Sequence, residues 1–205
     1  MTIANLLKFI LAFVVLGSIA NAQTPKSSKK SRLRGYLSKS FIQTSTDITF
    51  WQENIDITSP TASGTLPSFF QGLRFQASLL KPRQSNPRWV YSYSGAVAIG
   101  GVKGTATGGL SDEFSQQKWL MVGVAPGIIY RTSTRTEIGF RVPLDYRLIF
   151  WEINPGSDVE VSRGNSFSYG LSGVFITRYT LRSAIAITLT HHHVWQASIW
   201  SIGWQ

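Results

Sequence analysis

Residues 137–150 read EIGFRVPLDYRLIF. Ile138, Phe140, Val142, Leu144, Tyr146, Leu148 and Phe150 share one parity, and Glu137, Gly139, Arg141, Pro143, Asp145 and Arg147 share the other. An extended chain sends successive side chains to opposite faces, so the segment is a strand with one apolar face and one charged face. A soluble sandwich packs the apolar face on a second sheet and wets the charged one. A membrane barrel reverses this, with lipid on the apolar face and charges along the lumen. Choosing between these two settings decides most of what the chain does.

The amino terminus favours export. Lys8 precedes an apolar run over residues 9–19, and Ala20-Asn21-Ala22 has the small-x-small form of a signal cleavage site. That run is too short for a spanning helix, which needs about 20 residues. Residues 1–22 are therefore expected to be a removed secretory signal, and residues 23–31, polar and rich in lysine, a flexible lead-in. Residues 32–205 are long enough for one domain. The chain has no cysteine, which excludes both a disulfide framework and a lipid-anchored amino terminus. It holds 12 Phe, 7 Tyr, 7 Trp and 18 Gly, and no segment after the signal has a helical period. The fold class expected is all-β.

Eight extended segments can be marked, over residues 32–44, 69–80, 88–100, 116–130, 135–150, 166–179, 182–190 and 194–204. Long connections (45–68, 101–115 and 151–165) alternate with short ones (81–87, 131–134 and 180–181), and the last hairpin, at 191–193, is short. An even strand count with tight turns at one end and long loops at the other describes an up-and-down antiparallel transmembrane β-barrel. Closure removes both sheet edges, which lipid requires because it cannot hydrate free backbone groups.

Aromatic residues give a second indication. Tyr36, Trp89, Tyr130, Tyr179 and Trp204 fall at the turn end of their strands. Phe69, Trp119, Phe167, Trp195 and either Phe150 or Trp151 fall at the loop end. Two such belts suit the two headgroup levels of a bilayer. Leu73, Phe75, Val97, Ile99, Phe140, Leu144, Leu171 and Phe175 lie between them and suit the hydrocarbon. Charge divides along the same axis. Lys81, Arg83, Arg88, Arg131 and Arg135 join the lysines of the lead-in at the turn end, while Asp47, Glu53, Asp56, Asp112 and Glu113 fall in the expected loops. The net charge of +10 thus belongs to a dipolar molecule. Nucleic acid is excluded as the partner, because no recognition motif accompanies the scattered bases.

On these features the chain resembles the small eight-stranded outer-membrane barrels of Gram-negative bacteria, the group of the OmpA transmembrane domain and OmpX. Trp200, Ile202 and Trp204 match the alternating terminal strand that the insertion machinery reads in such barrels, although Gln205 follows the last aromatic. The resemblance implies an outer-membrane location, lipids and lipopolysaccharide as surroundings, and the barrel-insertion machinery as a partner in assembly; a monomer is expected.

Within such a barrel Glu137, Arg141, Asp145 and Arg147, joined by Arg74 and Arg178, are expected to form a lumen network of paired charges. An eight-stranded lumen has room for little beyond its own side chains. His191-His192-His193 is the sole histidine cluster and reads as a hairpin tip, without the third ligand and supporting shell of a metal site. No catalytic residue, metal or cofactor is assigned. The leading function is a non-enzymatic envelope protein with a structural or surface-interaction (adhesion-like) role through long extracellular loops. The alternatives are a lipid A-modifying enzyme, a narrow porin-like channel and a soluble carrier. The His-x-Ser pattern of barrel deacylases is missing, since Trp195 follows His193 by two.

Overall fold

The computed structural model describes residues 39–58, 63–104, 114–153, 160–161, 165–180 and 183–205. The expected signal, the lead-in, the start of the first expected strand and Tyr36 lie outside them. Among the described residues ten strands occur in chain order. They are β1 (Phe41–Thr58), β2 (Ser63–Pro82), β3 (Trp89–Gly104), β4 (Phe114–Arg131), β5 (Thr136–Arg141), β6 (Leu144–Ile153), β7 (Glu160–Val161), β8 (Ser166–Arg178), β9 (Ala184–His192) and β10 (Ala197–Trp204).

Eight crossings make the wall. Each of β1, β2, β3 and β4 pairs antiparallel with the next, β9 lies between β8 and β10, and β10 closes on β1 with Thr46 opposite Trp204 and Phe50 opposite Trp200. β5 and β6 are one crossing, because both pair with β4 on one side and β8 on the other. The interruption falls at Val142-Pro143, where proline removes a ladder donor. The wall stays sealed there, since Val142 N donates to Pro126 O (2.8 Å) and Gly170 N to Pro143 O (3.0 Å). The eight-stranded antiparallel barrel expected from the sequence is the architecture found.

The wall faces outward with apolar residues. Phe140 is 59% exposed while its neighbour Arg141 is 5% exposed, and the same contrast holds along the strand for Leu144 and Asp145. On β8 and just past it, Phe167, Tyr169, Leu171, Phe175 and Tyr179 all lie exposed. From Phe167 to Tyr179 the chain rises about 40 Å. At a strand tilt of about 40° this is about 30 Å along the barrel axis, the thickness of a bilayer's hydrocarbon core.

The first strand requires a correction. Among the described residues it runs from Phe41 to Thr58, well past the expected end at Thr44, and its partner β2 starts at Ser63, so the expected long loop at 45–68 is instead a tall hairpin paired from Phe41↔Leu80 to Thr58↔Ser63. The physical reason is an inversion of faces. Up to Phe50, β1 turns Ile48 to the outside and buries Ser45, Asp47 and Thr49. Above Phe50 it turns Gln52, Asn54 and Asp56 outward and buries Trp51, Glu53 and Ile55. A strand leaving the bilayer changes from lipid-facing to water-facing, so its apolar parity switches and the alternation expected of a membrane strand is lost. Asp47 and Glu53, expected in a loop, are therefore lumen residues, and Asp56 sits on a strand.

Candidate functional site

The lumen is built in layers. The upper layer is apolar and aromatic. Trp51 stacks on Phe70 (4.5 Å between centroids, 9° between planes) and meets Trp119 edge-on at 4.9 Å. Ile55, Ala98, Val102, Met121, Ile149, Trp195, Ala197 and Ile199 complete the cluster. Two glycines make room for it. Gly72 and Gly100 face each other across β2 and β3, and a Cβ on Gly100 would fall 2.0 Å from Gln71 O and 2.7 Å from the Trp119 ring. The indole lies flat over that bare backbone and donates from Nε1 to Gly101 O at 3.1 Å.

Inside this layer Arg147 and Glu53 form a fully buried ion pair. Arg147 grips Glu53 with both terminal nitrogens, one bond being Nη2 to Oε1 at 2.9 Å. Its guanidinium also lies 4.5 Å from the Trp195 ring and 5.2 Å from that of Phe70. Beside it His192 Nε2 is 3.2 Å from Asp145 Oδ2. Trp195 closes over His192 at 4.4 Å and donates from Nε1 to Ser166 Oγ at 2.8 Å. Burying charge is tolerated when each ion meets its opposite and its hydrogen bonds, as Arg147 and Glu53 do.

The middle layer is polar. Asp47, Arg74, Gln76, Ser78, Ser94 and Arg141 are buried there. Gln76 Nε2 donates to Ser78 Oγ (2.9 Å), which shares a hydrogen bond with Ser94 Oγ (2.8 Å). At the lower end Glu137 binds two arginines at once. Arg131 Nε reaches its Oε1 at 3.1 Å, and Arg178 reaches both oxygens, at 3.1 Å and 2.9 Å. A second apolar cluster of Leu80, Val90, Ile129, Val174, Ile176, Ala184 and Ala186 fills the lumen around them. The sequence marked the charges and not these clusters. Their signal was available, since Leu80, Val90 and Ile129 share the parity of lumen residues on their own strands.

Each residue expected in the charge network has its side chain inside the barrel, but the six do not form one network. Arg147 belongs to the upper layer with Glu53, Glu137 and Arg178 to the lower, and Arg74 and Arg141 to the middle. Asp145 meets His192. Glu53 and His192 are buried lumen groups that the strand pattern does not mark.

The aromatic belts divide. At the turn end Trp89 packs on Tyr130 (4.7 Å) and Tyr179 stacks on Trp204 (6.3 Å) on the outer surface. Phe167 is exposed at the other end. Trp119 and Trp195 are corrections, because both are 1% exposed and point into the lumen. Parity separates them from the belt. Trp119 alternates with the lipid-facing Leu120, Val122 and Val124, and Trp195 sits in the tight turn between β9 and β10.

The histidines are another correction to a simple tip. His191 and His192 end β9 and only His193 is in the turn. They diverge, with His191 Nδ1 3.2 Å from Ser198 Oγ, His192 buried on Asp145 and His193 against the Tyr169 ring at 5.3 Å. Among the described residues no three His, Asp or Glu side chains come together as a metal site.

No family model and no curated protein matches the chain. Among solved structures it is similar to Ail, the attachment invasion locus protein of Yersinia pestis, at 9% identity and TM-score 0.46 over 79% of this chain and 97% of that one. It is similar to Neisserial surface protein A at 11% and 0.42, over 81% of this chain and 96% of that one. A Pseudomonas aeruginosa FadL homologue follows at 12% and 0.38, over 74% and 43%. These likenesses are faint and carry nothing residue by residue. The closed wall, its lipid-facing exterior and its ionic interior are properties of this chain, and they make it a small outer-membrane-type β-barrel.

Proposed function

We propose that the chain is a non-enzymatic outer-membrane protein whose barrel is a closed plug and whose outer end is an interaction surface. The observation that carries this reading is the stacking of two apolar clusters and their ion pairs across the lumen. Such filling opposes a permanent pore and leaves the rims as the places where partners meet the protein. The outer rim is lopsided. β1 continues from Phe50, its last residue paired with β10, to Thr58, about 26 Å of strand. β9 and β10 stop at His192 and Ala197. The β1–β2 hairpin thus stands above the neighbouring β9–β10 side of the wall as a lip with a polar outer face. That lip, together with the connections around it, is the surface assigned to adhesion-like contact.

The other end suits anionic lipid. Lys39, Lys81, Arg83, Arg88 and Arg135 are exposed there, and among the described residues no Asp or Glu side chain is exposed beside them. With Trp89, Tyr130, Tyr179 and Trp204 at the same level, this rim fits the phosphates of the inner leaflet. Lipopolysaccharide surrounds the outer half, residues 1–22 act as the export signal and are removed, the insertion machinery assembles the barrel, and it works as a monomer.

The test starts with expression from the full sequence. The protein is expected in the outer-membrane fraction as a heat-modifiable band, silent in planar bilayers and without effect on lipid A mass spectra. Cells displaying it should attach to surfaces better than cells displaying a variant with the outward-facing Gln52, Asn54 and Asp56 replaced by alanine, which leaves the buried Trp51, Glu53 and Ile55 in place. Equal attachment by the two would reject the surface role, and steady conductance would reject the plug.

A further inference from the structure

The described lumen holds five buried arginines, 74, 131, 141, 147 and 178, against four buried carboxylates, Asp47, Glu53, Glu137 and Asp145. Three of those carboxylates are engaged, Glu53 by Arg147, Glu137 by Arg131 and Arg178, and Asp145 by His192. Arg74 and Arg141 remain, with Asp47 alone to answer both.

Asp47 does not reach them. It stands opposite Arg74 across β1 and β2 but leans the other way, over Gly203 of β10, where a Cβ would fall 1.6 Å from Asp47 Oδ1. Neither guanidinium has a carboxylate oxygen of a described residue within 4.0 Å. Arg141 makes one long hydrogen bond, Nη1 to Gln76 Oε1 at 3.4 Å. The Nε atoms of both arginines are buried without any partner. Both side chains are more than nine-tenths buried, at 6% and 5% exposure. Two like charges with free donors, shut between apolar layers, are unfavourable unless something negative joins them.

We propose that the middle of the lumen holds a small inorganic anion of halide size, bound between Arg74 and Arg141. Guanidinium N–H groups are strong donors to anions, and the two free Nε–H groups supply the contacts the protein itself leaves unmade. The filled lumen restricts the ligand to a small ion. With it bound, the middle layer is neutral: two arginines, Asp47 and one monovalent anion. Such an ion binds the folded barrel and not the unfolded chain, so it adds stability that depends on its concentration. The inference goes beyond the surface role and is independent of it.

Bromide is the probe. Crystals of the detergent-folded chain soaked in sodium bromide should show an anomalous peak within hydrogen-bond reach of both guanidiniums, absent in Arg74→Gln. In solution, wild type should unfold at a higher temperature in sodium chloride than in sodium gluconate at equal ionic strength. Arg74→Gln should lose that difference and Arg83→Gln, on the exposed rim, should keep it. The proposal is overturned if wild-type crystals with both arginines ordered show no peak between them. It is equally overturned if wild type and Arg74→Gln respond alike to chloride, which would leave an adventitious ion only. Should Arg74→Gln fail to fold, the wild-type bromide map still decides.

Discussion

Replacing Glu53 by alanine removes the carboxylate that Arg147 grips away from water, since both side chains of the pair are at most 1% exposed. Arg147 would lose its two-point grip on the carboxylate, and Trp51 Nε1 would lose its 3.2 Å bond to Glu53 Oε2. Stranding one member of a buried pair costs about 3–5 kcal/mol. The Trp195 and Phe70 faces stay over the guanidinium and hold the cost toward the lower end, because a desolvated cation–π contact supplies about 2 kcal/mol. We therefore expect a loss of about 3 kcal/mol, or about 6–12 °C in unfolding midpoint for a chain of this size. Urea unfolding in lipid vesicles, followed by tryptophan fluorescence, measures it, because Trp51, Trp119 and Trp195 all line the affected layer. The companion variant Glu53→Leu/Arg147→Met removes both charges at similar volume and should stand within about 1 kcal/mol of wild type or above it. If Glu53→Ala costs under about 1 kcal/mol, or if the double variant is as unstable as the single, Arg147 is not sealed in an aromatic layer and the plugged lumen is wrong.

Three other outcomes are expected. Phe140→Arg puts a charge on the lipid face and should cost about 2–4 kcal/mol near the bilayer midplane by the same urea titration; a neutral result would mean that this face meets water. Gly100→Ala drives a Cβ to 2.0 Å from Gln71 O and into the Trp119 ring, and should cost about 1–3 kcal/mol. Gly95→Ala, whose Cβ would meet nothing within 4 Å, should be neutral or stabilising by about 0.4–1 kcal/mol, and equal effects at the two sites would contradict the geometry. Glu137→Gln leaves Arg131 and Arg178 facing each other around an amide, and unfolding should move to lower urea by about 3 kcal/mol of stability, whereas unchanged unfolding would show the lower pairs to be water-exchanged.

The membrane core of this barrel was legible because lipid imposes a strict rule on each strand. Phe140, Leu144, Leu171 and Phe175 repeat at period two, and every such position read from the sequence as lipid-facing is on the outer wall. The rule fails where the environment changes along one strand. Gln52, Asn54 and Asp56 looked like a loop because polar residues had taken the parity that Ile48 and Phe50 occupied below. A parity switch and not a break marks the continuation of β1. Trp119 and Trp195 depart from the belt for a related reason, since position along a strand fixes the level of a ring and parity fixes its side of the wall.

From the order of its residues alone, this chain specified an all-β barrel with apolar outside and charged inside, because period and closure follow from backbone geometry and the absence of water in lipid. Which charge meets which was decided only in the closed cylinder. Glu53 finds Arg147 from 94 residues away and Arg178 finds Glu137 from 41 away. Those pairings depend on the stagger with which β10 meets β1 and on the two apolar layers that divide the lumen. Stagger sets the height of every side chain against its neighbours around the wall, and no single strand encodes it.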